Sequence, residues 1–354
     1  MHCRRSLTRG IVEAMRATPS RTPDDTSAVR LRGVRRTYGT GDSRFEAVRG
    51  VDLDVARGSV VALLGTNGAG KTSLLEVVEG LAPASGGTIE VLGLDPVADR
   101  AEVRRRTGVL LQRSGFAADL TVRETLELWA ATLTRPRPVA EGLGMLDLED
   151  RADTRVGALS GGEQRRLDLS CTLLGDPELV LLDEPTTGLD PESRQRLWEL
   201  VRGLRDAGRT VVLCTHHLEE AEELADRIAI MHGGLIVRDG TAAEITAARP
   251  SRIRFSVDPA SEPLPAAEAL GALRVHPERP ATTIETDDLQ GTLAALLTWA
   301  GRHGVRLEGL DARTASLESV FLDIAREPTD HTGDRASAPA TDHPRPGALE
   351  GTPR

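Results

Sequence analysis

Apolar and charged residues alternate from Val29 to Tyr38, with Val29, Leu31 and Val34 set against Arg30, Arg32 and Arg35. A period of two predicts a half-buried strand with a slip at Gly33. The loop Gly39 to Arg44 turns the chain, residues 51–55 alternate again, and Arg57-Gly58 leads into the unbroken apolar run Val60 to Leu64. Such a run reads as a strand buried on both faces, so the opening is expected to be a small antiparallel β layer feeding a central strand. Strands are also predicted at 88–92, 108–111, 179–182, 210–214 and 227–231. Helices are predicted at 98–106, 121–134, 161–174, 192–205 and 218–225. In the second of these, Val122, Leu126, Trp129 and Leu133 share one face behind a Thr121/Glu124 capping box, and Pro136 and Pro138 are expected to end it. Strands alternating with helices predict a mostly parallel sheet covered on both faces, with ligands at the strand carboxyl ends.

Arg249-Pro250 marks a boundary. Beyond it, strands at 253–257, 272–275, 282–286 and 305–310 with helices at 266–270 and 289–301 predict a compact βαββαβ unit, closed by a helix over 316–325. The expected organisation is a polar, disordered extension over 1–27 with Met15 as an alternative start, a large α/β domain over 28–249, a small α+β domain over 250–327, and a disordered tail over 328–354 rich in Pro, Gly, Asp and Thr.

Between the buried strand and the first long helix lies Gly65-Thr66-Asn67-Gly68-Ala69-Gly70-Lys71-Thr72-Ser73. Its glycines let the backbone turn N–H groups inward, and the helix opening at Lys71 adds the positive end of its dipole, so the loop is a phosphate cradle. Lys71 is placed to bridge terminal phosphates and the Thr72 hydroxyl to ligate Mg²⁺. Composition sharpens this, because the chain has 44 Lys and Arg residues and Lys71 is its single lysine. Arg serves wherever a cation is wanted except where a compact ammonium must reach between phosphates.

Residues 179–182 form an apolar strand that delivers Asp183-Glu184 at its carboxyl end. Two adjacent acids suit two tasks there: Asp183 reaches Mg²⁺ through water, and Glu184 polarises the water attacking the γ-phosphate. Ser160-Gly161-Gly162 opens a second helix with a free anion-binding terminus and no lysine of its own. Two phosphate-facing helix starts in one chain suggest a nucleotide sandwiched between subunits. The run Glu219, Glu220, Glu222 and Glu223 reads as a solvated helix face.

A net charge of −10 with 2% aromatic residues argues against nucleic acid as a partner, since neither a dense basic face nor stacking platforms are available. Cys3, Cys171 and Cys214 are isolated, which suggests neither a disulfide framework nor a zinc site and fits a reducing cytoplasm. The Arg-containing opening lacks the apolar run of about 7–15 residues of a secretion signal. No segment approaches about 18 consecutive apolar residues, so membrane spans are expected from another polypeptide.

Over roughly residues 28 to 240 these stretches resemble the ATP-binding-cassette (ABC) ATPases. Gly65 to Thr72 is similar to the family's Walker A loop, Val180 to Glu184 to its Walker B strand, and Ser160 to Glu163 to its signature motif. The resemblance implies a P-loop NTPase fold with a mostly parallel core sheet, an antiparallel β layer and a helical subdomain at about 113–175. It implies ATP and Mg²⁺ as cofactors. Gly65, Asn67, Gly68, Ala69, Gly70, Lys71, Thr72 and Ser73 would hold the nucleotide, and the signature would face the γ-phosphate held by the partner subunit. Tyr38, the only tyrosine, resembles the aromatic that stacks on adenine. Gln112 resembles the glutamine that senses Mg²⁺ and couples to the membrane subunit, Leu189-Asp190 the dimer-contacting loop, and His216 the switch histidine, with His217 beside it structural. Thr66 stands where many relatives have Pro, and Glu163 where Gln is frequent.

Ser316 to Leu322 resembles the closing motif of daunorubicin-resistance and ABC-2 type exporters, which carry an accessory domain after the cassette. What this implies is an ATPase at the cytoplasmic face of the membrane, working as a dimer with an ABC-2 type permease and exporting a drug-like or other hydrophobic molecule. An importer, a lipid or polysaccharide exporter, and a soluble cassette acting on ribosomes or DNA are the alternatives. The segment between Gln112 and Ser160, with Arg135-Pro136-Arg137-Pro138, is short for this exporter group.

Overall fold

The computed structural model describes residues 26–111, 115–247, 249–258, 262–277 and 281–326. The disorder expected at the two ends falls outside these residues apart from Thr26 and Ser27, as do Cys3, Met15 and Gln112.

In chain order the elements are β1 (Ser27–Tyr38), β2 (Phe45–Ala56), β3 (Val60–Gly65), α1 (Lys71–Val78), β4 (Gly86–Val91), α2 (Arg100–Arg106), β5 (Thr107–Leu110), α3 (Val122–Ala130), α4 (Val139–Met145), α5 (Gly161–Leu173), β6 (Leu179–Asp183), α6 (Pro191–Asp206), β7 (Thr210–Thr215), α7 (Leu218–Leu224), β8 (Arg227–His232), β9 (Leu235–Gly240) and α8 (Ala242–Ala247). The second unit contributes β10 (Ser251–Ser256), β11 (Arg274–Pro277), β12 (Thr282–Thr286), α9 (Leu289–His303), β13 (Glu308–Arg313) and α10 (Leu317–Arg326).

Three strands form the antiparallel layer in the order β2-β1-β4. The slip expected at Gly33 is a bulge: the register shifts between Leu31 and Val34, Gly33 takes φ 58°, and its N–H donates to Asp52 Oδ1 at 2.8 Å. The central sheet runs β5-β6-β7-β3-β8-β9, parallel except for β9. Strands β3, β6 and β7 are buried along their whole length, which is why their sequences are continuous apolar runs rather than alternating ones. Because β3, β6 and β7 are parallel neighbours, the residues following all three emerge at one edge of the sheet.

Several elements differ from expectation. Strand β9 and helix α8 have no counterpart in the sequence reading, because β9 is a half-exposed edge strand whose Leu235, Ile236 and Val237 do not alternate. Helix α3 stops at Ala130, well before Pro136: the backbone tightens to i→i−3 bonds, Thr132 N–H donating to the Trp129 carbonyl at 2.9 Å and Leu133 N–H to that of Ala130 at 3.0 Å, with Thr132 Oγ1 also on the Trp129 carbonyl at 2.7 Å. Pro138 then serves as the N-cap of α4, a start rather than a stop.

The second unit is an antiparallel sheet in the order β11-β12-β10-β13, with Ile253, Phe255, Leu270, Ile284 and Leu296 at its centre. Helix α10 does not close this unit. Leu317, Val320 and Ile324 lie in a core with Ala62, Leu64, Ile228, Ile230 and Ile245, on the flank of the central sheet. Burial of three such side chains contributes on the order of 6 kcal/mol, and Arg249 and Arg252 reach Asp323 at 3.2 and 3.3 Å to tie the helix back to β10. No helix among the described residues is long and apolar enough to cross a membrane.

Candidate functional site

Gly65 ends β3, and the backbone folds over itself before α1 begins. Here glycine is required by space as well as torsion: a Cβ on Gly65 would sit 2.5 Å from the Met231 carbonyl oxygen, and one on Gly70, at φ 103°, would sit 2.3 Å from that of Ala47. Ala69 is buried under the loop, while Asn67 and Gly68 are exposed at its lip. Lys71 is buried; its Nζ donates to the Gly65 and Thr66 carbonyls at 2.7 and 3.2 Å and lies 3.7 Å from Glu184 Oε1. The ammonium therefore rests on the loop's own oxygens, at the mouth of an N-terminus whose first N–H groups have no intrahelical partners.

Thr72 Oγ1 donates to Asp183 Oδ2 at 3.3 Å, and Asp183 Oδ1 is buried with no hydrogen bond. Burial, then the neighbouring Glu184, pushes the Asp183 carboxyl above the ordinary range. A hydroxyl beside a carboxylate oxygen with uncommitted lone pairs is a donor set that fits a hard divalent cation, which would relieve both the orphaned oxygen and the repulsion between the two acids.

Glu184 is almost fully buried and takes φ 47°, a left-handed conformation that costs a non-glycine residue on the order of 1 kcal/mol or more. Its N–H donates to the Cys214 carbonyl of β7 at 2.9 Å, which anchors the turn. The side chain reaches His216 Nδ1 at 2.6 Å through Oε2. His217 stacks on His216 with ring centroids 4.0 Å apart, and its N–H donates to Thr215 Oγ1 at 3.0 Å at the start of α7. Desolvation, then His216, holds the His217 imidazole below the usual value. The geometry brings Lys71, Thr72, Asp183, Glu184 and His216 to one sheet edge, as expected from the strand order.

Tyr38 stands beside α1. Its hydroxyl donates to Glu76 Oε2 at 2.9 Å and lies 3.1 Å from Ser73 Oγ, while the Arg36 guanidinium sits 4.5 Å from the ring centroid. Ring orientation is thus set from two sides, leaving a third of the residue exposed as an aromatic platform.

Ser160 and Glu163 form a complete capping box: Ser160 Oγ accepts from Glu163 N at 3.2 Å and Glu163 Oε2 accepts from Ser160 N at 2.8 Å. Glu or Gln can close such a box; what the acid adds is an ion pair with Arg151 Nε at 2.7 Å, and the bond from Ser160 N holds the Glu163 carboxyl below its usual range. Gly162 passes so close to α6 that a Cβ would meet Ser193 Oγ at 2.5 Å. Asp190 is the N-cap of α6, accepting from Ser193 N at 2.9 Å and Ser193 Oγ at 2.7 Å. Among the described residues no hydrogen bond joins the Ser160 turn to the Lys71 loop of the same chain.

Two residues were missed by sequence reasoning. Arg165 is buried and donates to the carbonyls of Leu111 at 2.7 Å, Pro185 at 2.9 Å, and Asp183 and Glu184 at 3.3 Å each, so α5 is fastened to the ends of β5 and β6. Nothing in the pair Arg165-Arg166 distinguishes the inward one. Glu220 corrects the reading of 219–223 as a solvated face: Glu219, Glu222 and Glu223 are exposed, but Glu220 is buried.

The ABC transporter family matches residues 48–187, and the C-terminal domain of ABC transporter domain-containing proteins matches residues 251–316. The daunorubicin resistance ATP-binding protein DrrA3 of Streptomyces coeruleorubidus is 38% identical over 84% of this chain and 96% of its own length. Nod factor export ATP-binding protein I of Burkholderia orbicola (strain AU 1054) is 37% identical over 82% of this chain and 95% of its own. A solved ATP-binding cassette, in a dimeric post-hydrolysis state bound to ADP and Pi, superposes with a TM-score of 0.55 at 27% identity, covering 60% of this chain and 98% of that one.

Proposed function

The chain belongs to the ABC transporter family, and from that premise we propose how its residues divide the work of an ATP-hydrolysing subunit that powers export. Lys71 and the N–H groups of the Gly65–Ser73 loop bind the β- and γ-phosphates, and adenine stacks on Tyr38. Thr72, and Asp183 through water, hold Mg²⁺; when bound, it neutralises charge on the phosphates. Glu184 orients and polarises the attacking water, and His216, 2.6 Å from it, fixes that carboxylate and reaches the γ-phosphate. Gln112 joins this set as the Mg²⁺-sensing residue. Ser160, Gly161 and Gly162 cover the phosphates bound by a second copy, with Asp190 at the same interface.

The observation that carries this reading is the convergence on Glu184 of Lys71, an ion pair at 3.7 Å, and His216, at hydrogen-bond distance of 2.6 Å, beside a glycine loop. Support for a nucleotide closed between copies comes from the Ser160 turn, where the capping box engages the N–H groups of Ser160 and Glu163 and, among the described residues, no hydrogen bond joins the turn to its own cradle. Relatives named for daunorubicin resistance and for Nod factor export support a drug-like or other hydrophobic substrate, passed through an integral permease of the ABC-2 type that holds this subunit at the cytoplasmic membrane face.

The test is to arrest the protein as Glu184→Gln, saturate it with Mg-ATP, and measure its mass alone and in membranes. A homodimer that co-purifies with one integral membrane protein is expected; a strict monomer in both settings overturns the reading.

A further inference from the structure

Beneath the catalytic edge, four buried polar atoms lack a hydrogen bond: Glu220 Oε1 and Oε2, Thr186 Oγ1 and Trp198 Nε1. They share one pocket of the interior. Glu220 is 1% exposed, and the hydroxyls of Thr215 and Thr186 and the Trp198 indole are the hydrogen-bonding groups facing it. Burial first, and the Glu184 charge as well, pushes the carboxyl above its ordinary range, with the Arg165 guanidinium the cation in electrostatic reach; in its protonated form it has one O–H to donate and a carbonyl oxygen to accept.

Each facing group stands on a segment that ends at the site. Thr186 follows Glu184 by two residues, Thr215 precedes His216, and Trp198 lies on α6, which Asp190 caps. We propose that Glu220 is a positioning residue: from α7 its carboxyl gathers the Glu184, His216 and Asp190 segments and fixes the spacing of the His216–Glu184 pair. The strained backbone of Glu184, at φ 47°, needs such an outside constraint to persist. Lys71 takes its partners from Gly65, Thr66 and Glu184 and, among the described residues, none from this group, which separates the group's effect from nucleotide binding.

The proposal rests on the assignment of Glu184 and His216 above, and the experiment separates the two. ATPase kinetics of the full chain are compared for Glu220→Gln, Glu220→Leu, Thr186→Val and Glu184→Gln. Gln reproduces the donor and acceptor of a neutral Glu, whereas Leu keeps the volume and removes both. Glu220→Leu should lower kcat by about tenfold to a hundredfold with KM for ATP unchanged within about twofold. Glu220→Gln should restore most of the loss, and Thr186→Val should reproduce part of it. Wild-type kcat in folded Glu220→Leu, or a loss in which KM rises and Gln gives no rescue, overturns the positioning role. Should Glu220→Leu fail to fold, Thr186→Val decides alone: unchanged kcat overturns the proposal. Full activity in Glu184→Gln would instead sink the site reading on which it stands.

Discussion

His216 Nδ1 lies 2.6 Å from Glu184 Oε2, and that same carboxylate reaches Lys71 Nζ at 3.7 Å through its other oxygen. One acid is therefore held between an imidazole just past the end of β7 and an ammonium from α1, in a position where neither its rotamer nor its backbone is free. Replacing the carboxylate by an amide of equal size removes the base and keeps the packing. Glu184→Gln should lose about 10²- to 10⁴-fold in kcat while titrations with a fluorescent ATP analogue show wild-type affinity.

Lys71 is buried on the loop carbonyls, so truncating it leaves the cradle without its only compact cation. Lys71→Ala should weaken ATP binding by about 2–5 kcal/mol, read by calorimetry. Affinity within about twofold of wild type would contradict the cradle assignment.

Tyr38 separates a ring from a hydroxyl. Tyr38→Phe keeps the platform and loses the bond to Glu76, so it should cost about 1 kcal/mol of stability with little change in nucleotide affinity. Tyr38→Ala should lose about 1–3 kcal/mol of adenine binding. Equal affinity in both variants would remove Tyr38 from the nucleotide site.

Glu79, buried at the end of α1, has its carboxyl raised to about 7, first by burial and then by Asp183 and Glu76. Its folded value lies above the unfolded one of 4.5, so between these pH values the folded state binds the extra proton and stability falls as pH rises. In the absence of nucleotide and Mg²⁺, Glu79→Gln should be more stable than wild type above about pH 7, by up to about 2–3 kcal/mol. The difference should vanish below about pH 4.5. Chemical denaturation at a series of pH values measures it.

Helix α10 tests the division of the chain. Val320→Asp buries a charge among Ile228, Ile230 and Ile245 and should cost about 3 kcal/mol or more. Hydrogen exchange should then accelerate in β8 and α8 while β10 and β12 keep their protection. Loss confined to the second unit would show that α10 belongs there instead.

Sequence alone determined the strand–loop–helix of 60–78, because glycine torsion, a buried apolar run and a helix start are local properties of neighbouring residues. It also located the Thr121–Glu124 box, and the same four-residue pattern at Ser160–Glu163 was legible though unread. Strand order in the central sheet was decided only by the tertiary structure, which carries Asp183 and His216, far apart in the chain, to the Lys71 loop. So were the inward turn of Arg165 and the burial of Glu220, whose only sequence signal is its spacing of four from Leu224 on the packed face of α7. Four glutamates on a short helix are chemically alike, and which one loses its water depends on what packs against it. The same holds for α10: an apolar stripe demands a partner surface without naming it, and the flank of β8 supplied one that the smaller sheet did not.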